Sequence, residues 1–438
     1  MIDPQVLAET ASRKLSNLVD EYVVNANIVS SVMVKYADGE VTVTQSWKDY
    51  ILDVYVSKNS KINTSTYTTH DPIEVLSKLP SLIEKLTASP LYTPLPEPTG
   101  SPLSIIDSRL KDSSLSGDIS GLLGSIDVKS YGNVAGMIEI SYSRSHYIGS
   151  NGLDSGFEIT EFNGYFRVFR GDDSGQWAWV STFYDESLAR GALDKASSLA
   201  ELCSSLPKEN IETGYYRVLL SPMVSGNLLE SVARFSTAGS VILGFSFLQG
   251  KKAGDIIASE KLTLREVPRN NRLPNYRGFD DEGVATMDKP IIERGVFKGF
   301  LHNSKTAKLM NEKTTGNAGW ILPRIFNLEV EPGDIRESEL LEALGDGLYA
   351  TNNWYTRFQN FLEGTFSTVT RDALLIVKRG KPIACSRRAR LAGSLPEMLS
   401  SIEDLSRERW QIKWWEVRAP IILPHMLIKK ITVTSTTL

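Results

Sequence analysis

The chain has 438 residues and a net charge of −4, from 48 lysines and arginines against 52 aspartates and glutamates. A hydrophobic share of 41% with 23% charged residues is typical of a soluble globular protein with two or three domains. The acidic balance argues against nucleic acid as the main partner, and no apolar run is long enough to span a membrane.

The N-terminus and the cysteine content predict a cytoplasmic location. The first residues, MIDPQVLAET, lack the basic-then-apolar pattern of a secretory signal. Two cysteines, Cys203 and Cys385, are too few for a disulfide framework or for a four-ligand zinc site. A reducing compartment is therefore expected, with Cys203 as a core residue on the apolar stripe of a helix.

Residues 1–97 are predicted to form an α+β domain of helices on an antiparallel sheet. Asp3 caps a helix that begins at Pro4, and Asp71-Pro72 begins another. Asp38-Gly39 is a strong hairpin signal. Strands are predicted at residues 27–36, 40–47, 53–57 and 62–69.

A proline-rich stretch at residues 89–103 predicts the boundary to a middle domain, residues 98–208, which is a β-meander followed by a helix. Asn163-Gly164 predicts a turn between two of its strands, and Asp185 predicts a helix N-cap. Trp177 and Trp179 are predicted to pack under that helix. The strands are predicted at residues 137–148, 157–162, 165–169 and 177–183.

Residues 209–438 are predicted to form a large β-rich C-terminal domain, so the fold class is α+β. Its first element is a strand at 215–220, followed by Ser221 as N-cap and a helix with one buried face. The exposed face of this helix is predicted to carry Asn227, Glu230, Ser231 and Arg234. Later elements are predicted as strands at 241–248, 259–267, 348–354, 364–369, 373–377, 410–417 and 427–433, a hairpin at 290–301, and helices at 338–344 and 395–405.

Familiar catalytic motifs are missing from the sequence. The four histidines are too far apart for a helical zinc motif, and there is no Gly-x-Ser-x-Gly sequence. Cys385 precedes three basic residues, Arg387, Arg388 and Arg390, which could lower the pKa of its thiol. A nucleophilic Cys385 is therefore one hypothesis, and a core cysteine beside a solvated basic patch is the alternative that we favour.

Several C-terminal segments occur in an order and spacing that resemble the TldD/PmbA family, which includes proteins called modulators of DNA gyrase. They are LLSP at 219–222, LLESVARF at 228–235, GFDDEG at 278–283, ERGVFKGFLHNSKTAKL at 293–309, TTGNAG at 314–319, EPGD at 331–334, GLYATNNW at 347–354 and GTFS at 364–367. This resemblance implies membership of a two-subunit metallopeptidase family that acts on peptides or unfolded proteins.

The resemblance also implies which subunit type this chain is. One subunit type carries His-Glu-x-x-x-His on the central helix and a C-terminal cysteine as zinc ligands. Here the matching positions are Leu229, Glu230 and Arg234, and the segment after Trp415 contains no cysteine. The chain is therefore expected to be the metal-free PmbA-like type, also called TldE, with zinc in a TldD-like sister subunit. Glu230 and Arg234 are expected to form a surface ion pair.

The same resemblance implies that five loop residues line a peptide-binding cleft: Asp280, Asp281, Thr315, Gly316 and Asn317. The expected partners are a sister subunit, in a heterodimer, or a second copy, in a homodimer, together with a peptide substrate. Two alternatives stay open. One is a homodimeric peptide-binding or regulatory protein. The other is a hydrolase that uses Glu230 or Cys385 without the family metal.

Overall fold

The computed structural model describes residues 2–124, 126–386 and 388–435, and it contains both helices and two sheets. The predicted α+β class is confirmed. Its α-helices are α1 (Pro4–Leu15), α2 (Pro72–Lys78), α3 (Ser108–Ser116), α4 (Ser120–Leu123), α5 (Glu186–Ser205), α6 (Pro222–Phe235), α7 (Ala238–Ile242), α8 (Ser304–Met310), α9 (Leu340–Leu344) and α10 (Leu395–Ser400). In the part of the chain that the structure describes, every helix is too short or too polar to cross a lipid bilayer.

The N-terminal sheet has the order β4-β3-β2-β1-β5-β6-β7 and is antiparallel throughout. The pairing of β1 with β5 crosses the predicted boundary near residue 97, so residues on both sides of it share one sheet. The strands are β1 (Glu21–Ala37), β2 (Glu40–Lys58), β3 (Lys61–Thr69), β4 (Thr87–Ala88), β5 (Val134–Gly149), β6 (Asp154–Arg170) and β7 (Asp173–Ser181).

The predicted turn at Asn163-Gly164 is wrong, because β6 runs through it without interruption. A Cβ on Gly164 would lie 2.4 Å from the Met137 carbonyl oxygen and 2.5 Å from the Trp179 ring. Glycine is therefore needed here for the close approach of neighbouring strands. The predicted separate strand at 53–57 is wrong in the same way, because these residues form the end of β2.

The C-terminal sheet contains a closed ring of strands, because β8 pairs with both β13 and β18. Its strands are β8 (Gly214–Leu220), β9 (Leu264–Glu266), β10 (Lys289–Glu293), β11 (Val296–Phe297), β12 (Leu328–Val330), β13 (Gly347–Asn360), β14 (Thr365–Lys378), β15 (Lys381–Ser386), β16 (Ala389–Ser394), β17 (Ile402–Trp414) and β18 (Val417–Ser435).

Helix α6 follows β8 as predicted and packs against β13 and β18. The expectation of an exposed polar face is wrong for Asn227 and Glu230, which are 8% and 4% exposed. Only Ser231 and Arg234 of the four polar residues reach the surface. Contacts with β13, β17 and β18 therefore bury more of this helix than its apolar stripe predicts.

Four other predicted elements of this region differ. Residues 241–248 form the end of α7 and turns, where a strand was predicted. The predicted strands at 364–369 and 373–377 form one strand, β14. The predicted helix at 395–405 ends at Ser400, after which β17 begins. Apolar runs this short do not distinguish a strand from a buried helical turn.

The two cysteines form a disulfide between α5 and β15, which the sequence analysis did not expect. Their Cα atoms are 5.3 Å apart although 182 positions separate them in the chain. Both side chains are buried, as predicted for Cys203. The bond joins the helix that covers the N-terminal sheet to the C-terminal sheet.

Candidate active site

The first candidate site is a cavity of about 580 Å³ beside α6, called here the α6 cavity. It opens between the helix, the distal part of β13 and the turn that joins β17 to β18. The polar and aromatic side chains that define it are Asn227, Glu230, Arg234, Tyr355, Arg357, Phe361, Trp415 and Arg418. Of the three positions at which the family resemblance places functional residues, Glu230 and Arg234 line this cavity, whereas Leu229 is completely buried and does not.

Glu230 is the buried acid of this cavity, and its carboxylate is fully engaged. Its Oε1 accepts hydrogen bonds from Arg234 Nε at 3.0 Å and Nη2 at 2.5 Å, and its Oε2 accepts from the Arg418 amide at 2.7 Å. The Arg234 side chain is 54% exposed and the Glu230 side chain only 6%. The predicted ion pair is confirmed, but its acid is buried where a surface pair was expected.

The turn between β17 and β18 is fastened to α6 through polar backbone groups. Asn227 Nδ2 donates to the Glu416 carbonyl at 2.6 Å, and the Arg418 amide bonds to Glu230 as described above. At this place the turn therefore offers α6 a carbonyl and an amide, and no thiolate.

The residues around Glu230 do not fit a zinc ion. Leu229 is completely buried and offers only methyl groups, and Arg234 brings a positive charge to the position of the second expected ligand. Zinc in proteins is held by thiolate, imidazole and carboxylate groups. Of the three matching positions, Glu230 alone supplies such a group, and its two oxygens already accept hydrogen bonds from a guanidinium and an amide.

The five predicted cleft residues lie in two loops that pack against each other. Asp280 Oδ2 accepts a hydrogen bond from the Ala318 amide at 2.8 Å, and its Oδ1 accepts from the amides of Glu282 and Val284 at 3.0 Å each. Asp280, Asp281, Gly316 and Asn317 are buried, and Thr315 is half-buried. Among the described residues, none of the five lines the α6 cavity. Their role in a cleft stays a prediction.

The acidic loop is a buried network of charges. Asp281 accepts from Tyr147 at 3.0 Å and from Arg277 at 3.1 Å, and Glu282 accepts from Lys305 at 2.6 Å. Burial and, to a smaller extent, the nearby charge of Glu282 raise the pKa of Asp280 to about 7, against the effect of the backbone hydrogen bonds. Because Tyr147 belongs to β5, this network joins the two sheets.

Cys385 cannot act as a nucleophile in this structure, because its sulfur is bonded to Cys203 and its side chain is fully buried. Among the described residues, Asp173 and the two cysteines bring potential metal-ligating atoms within 4.8 Å of one another. The bonded sulfurs are not thiolates, however, and a thiolate is the form that binds metal.

The basic patch predicted beside Cys385 is only partly described by the structure. Arg387 lies outside the described residues, and Arg390 donates a hydrogen bond to Ser367.

Comparison with known proteins assigns the family. Residues 213–435, more than half of the chain, match the family described as the PmbA/TldA metallopeptidase C-terminal domain. The chain belongs to the PmbA/TldA metallopeptidase family. The matched segment begins at β8 and ends with β18, and it therefore contains the α6 cavity.

Relatives named as homologs of TldD and of PmbA are similar to this chain. A metalloprotease TldD homolog from Buchnera aphidicola is 28% identical over 64% of this chain and 57% of its own length. A metalloprotease PmbA homolog from Haemophilus influenzae is 29% identical over 51% of this chain and 46% of its own length. The chain spans about half the length of the curated relatives that it matches.

The fold of this PmbA/TldA family member is also that of a solved TldE. The crystal structure of TldE from Thermococcus kodakarensis matches with a TM-score of 0.81 at 17% sequence identity, covering 98% of this chain and all of that one. The whole chain, including the N-terminal sheet outside the matched family domain, therefore has a fold already seen in the family.

A second cavity, of about 800 Å³, was not predicted from the sequence and is called here the arginine cavity. It lies where β6 and β7 of the N-terminal sheet face β14. Its charged and aromatic lining includes Tyr165, Arg167, Phe169, Trp354, Arg371, Asp372, Arg388 and Trp415. No local motif marks these residues, because they come from segments more than 200 positions apart in the chain.

Proposed function

We propose that this chain is a metal-free subunit of the PmbA/TldE type, which pairs with a zinc-bearing, TldD-like sister and completes a chamber for peptides or unfolded proteins. The chemistry at Leu229, Glu230 and Arg234 carries the proposal. Two of these side chains cannot ligate zinc, and hydrogen bonds occupy the third. Hydrolysis would then take place in the sister subunit.

The proposal gives Glu230 a structural role. A glutamate acts as general base in such peptidases by taking a proton from a metal-bound water. Glu230 instead accepts hydrogen bonds from a guanidinium and a backbone amide. In the proposed subunit it holds α6 against the start of β18 and shapes the wall of the α6 cavity.

Exposed aromatic side chains around the α6 cavity support pairing with another protein surface. Tyr355, Phe361 and Trp415 are 51%, 41% and 54% exposed, and the adjacent Leu362 is 56% exposed. Aromatic residues are enriched in protein interfaces, and clustered exposed apolar groups are typical of interaction sites. We therefore propose this rim as the contact surface for the sister.

The first test combines zinc analysis with association. Elemental mass spectrometry of the isolated chain should find well below one zinc per chain, and light scattering of a mixture with a TldD-like sister should find a heterodimer at micromolar concentration. Phe361→Glu should weaken the association at least about tenfold, because it puts a charge into the proposed contact. Val6→Glu on α1, at a residue 52% exposed, is the matched control.

Two results would contradict the proposal. About one tightly held zinc per isolated chain would reveal a metal site outside the α6 cavity. Failure to associate, together with a stable homodimer that binds peptide, would favour the homodimeric regulatory protein.

A cytoplasmic location is part of the proposal. Trapping of free thiols in fresh extracts would show whether Cys203 and Cys385 form their disulfide there.

A further inference from the structure

The N-terminal sheet has a pocket on the face that carries α1 and α3, called here the α1–α3 pocket. On β1, Ala26 packs in the core cluster that contains α1, and Val32 packs in the cluster that contains α3. Successive side chains of a strand alternate between its two faces, so both helices cover the same face. Ile28 and Ser30 lie on that face between the two helices, and there a pocket of about 360 Å³ opens.

The floor of the pocket is built from side chains that stand opposite one another on neighbouring strands. Ser30 of β1 is paired with Lys48 of β2 on one side and with Tyr142 of β5 on the other. Residues directly opposite each other in a sheet point to the same face, so these three side chains form a row across the floor. The other lining residues are Asp3, Ile28, Lys111, Leu115, Arg144 and Glu158.

Both acids of this pocket are paired, whereas one of its three cations is not. Arg144 lies 3.0 Å from Asp3 Oδ2 and 3.0 Å from Glu158 Oε1, and Lys111 Nζ lies 3.3 Å from Glu158 Oε2. Among the described residues, no carboxylate pairs with Lys48. Partial burial lowers the pKa of Lys48, and no neighbouring acid acts against this effect. The lining therefore has one positive charge more than its acids neutralise.

Ser30 brings a free hydroxyl to the same floor. Its side chain is only 5% exposed, and within the described part of the chain its Oγ has no hydrogen-bond partner. Buried polar side chains are normally hydrogen-bonded, so a hydroxyl left free at the bottom of a pocket is suited to a ligand. Because Ser30 and Lys48 are paired across the strands, one ligand group can reach both.

The rest of the pocket suits an apolar body. Ile28 and Tyr142 are buried in the floor, and Leu115 of α3 is 47% exposed at the wall. A volume of about 360 Å³ is within the range of pockets for small organic ligands. An ammonium group beside a hydroxyl matches a single carboxylate, whereas a phosphate would bring a second negative charge toward Asp3 and Glu158.

We propose that the α1–α3 pocket binds a small carboxylic acid with an apolar body. Lys48 and Ser30 hold the carboxylate, and Ile28, Leu115 and Tyr142 contact the apolar body. This role is independent of pairing with a sister subunit, because the pocket lies in the N-terminal sheet, outside the family domain at residues 213–435. The N-terminal sheet then has a ligand of its own.

The test measures binding of one probe in two forms to the full-length isolated chain. The probe is 3-phenylpropionate, and 3-phenylpropionamide is its neutral analogue of nearly the same shape. Titration followed by ligand-observed NMR, which detects weak binding, should give an affinity at least about tenfold higher for the acid. The reason is that only the carboxylate forms charge-assisted hydrogen bonds with the lysine.

Variants assign the preference to the pocket. Lys48→Gln should lower the affinity for the acid to that for the amide and leave the amide unchanged. Ser30→Ala should lower the affinity for the acid at least about threefold, because one hydrogen bond is lost. Leu115→Glu, at an exposed side chain, should abolish binding of both forms and covers the case in which the floor variants do not fold. Lys35→Gln, at an exposed lysine of β1 outside the pocket, is the matched control and should change neither affinity.

Three outcomes would overturn the inference. They are equal affinities of the wild type for acid and amide, no binding of either form up to millimolar concentration, and a preference for the acid that survives in Lys48→Gln. Tighter binding of phenyl phosphate than of 3-phenylpropionate would assign the pocket to phosphate and would also overturn it. Because the isolated chain is used, failure of the sister to associate does not affect this result.

Discussion

Two pairs of opposite charges in this protein have the same spacing in sequence and very different surroundings. Glu230 and Arg234 are four residues apart on α6, and Arg277 and Asp281 are four residues apart at the acidic loop. Arg234 has a side chain 54% exposed, whereas the side chains of Arg277 and Asp281 are 7% and 2% exposed. The spacing brings the partners together in both cases, but burial decides what each pair does.

The buried pair requires that every hydrogen-bonding group be satisfied. Arg277 donates to Tyr147 Oη, to the Phe279 carbonyl and to Asp281, at 2.9, 2.9 and 3.1 Å. In the pair on α6, the exposed guanidinium of Arg234 can donate hydrogen bonds to water instead. The acidic loop is therefore a structural connection between the sheets, whereas on α6 the acid Glu230 is buried and only its exposed partner Arg234 can change at small cost in stability.

The largest effect is expected from breaking the buried pair. Arg277→Met should lower the free energy of unfolding by about 3–5 kcal/mol, because it leaves Asp281 buried with one cation fewer. Urea unfolding followed by circular dichroism measures this change. Arg269→Met, at an exposed arginine, is the control and should change stability by less than about 0.5 kcal/mol. A loss below about 1 kcal/mol for Arg277→Met would contradict the claim that burial makes this pair more important for stability than the pair on α6.

The next effect is a dependence on pH that comes from Asp280. Its pKa is raised to about 7 in the folded protein, so the folded state binds the proton more tightly than the unfolded state does. The stability from this group is present at low pH and is lost as pH rises from about 4 to 7, by on the order of 4 kcal/mol.

Comparison with Asp280→Asn isolates that contribution. The variant should be less stable overall, because an amide nitrogen would face the Ala318 amide. The difference in unfolding free energy between wild type and variant should shrink as pH rises through this window. A difference that stays constant from pH about 4 to 8 would show that Asp280 does not titrate there.

The smallest effect is expected on α6. Arg234→Gln should lower the free energy of unfolding by less than about 1 kcal/mol, and by less still at high salt, because the guanidinium is half exposed and screened. Thermal unfolding at two salt concentrations provides the measurement. A loss above about 2 kcal/mol would mean that this pair is as structural as the one at the acidic loop.

Local signals predicted much of the fold. The hairpin at Asp38-Gly39, the hairpin at 290–301, the helix after Asp185 and the strand-to-helix unit that begins at β8 are all present. Each depends on turn or cap chemistry within a few residues. Asn163-Gly164 has the same turn composition but lies inside β6, because the close approach of Trp179 is a tertiary constraint.

The candidate site was only partly predictable for the same reason. The family resemblance pointed to Leu229, Glu230 and Arg234, and the structure brings all three to one helix. It did not reveal that the acidic loop is buried, since its partners Tyr147 and Lys305 lie elsewhere in the sequence. The arginine cavity was missed because it forms only when β6 and β14 meet.

The disulfide between Cys203 and Cys385 has a consequence for a chain that is cut. Any single cleavage between these positions, over a separation of 182 residues, leaves two fragments that stay covalently joined. Such a nicked molecule would migrate as one species on a denaturing gel until a reductant separates it into two bands. A loop opened by a protease would thus release neither the N-terminal sheet nor the end of the C-terminal one.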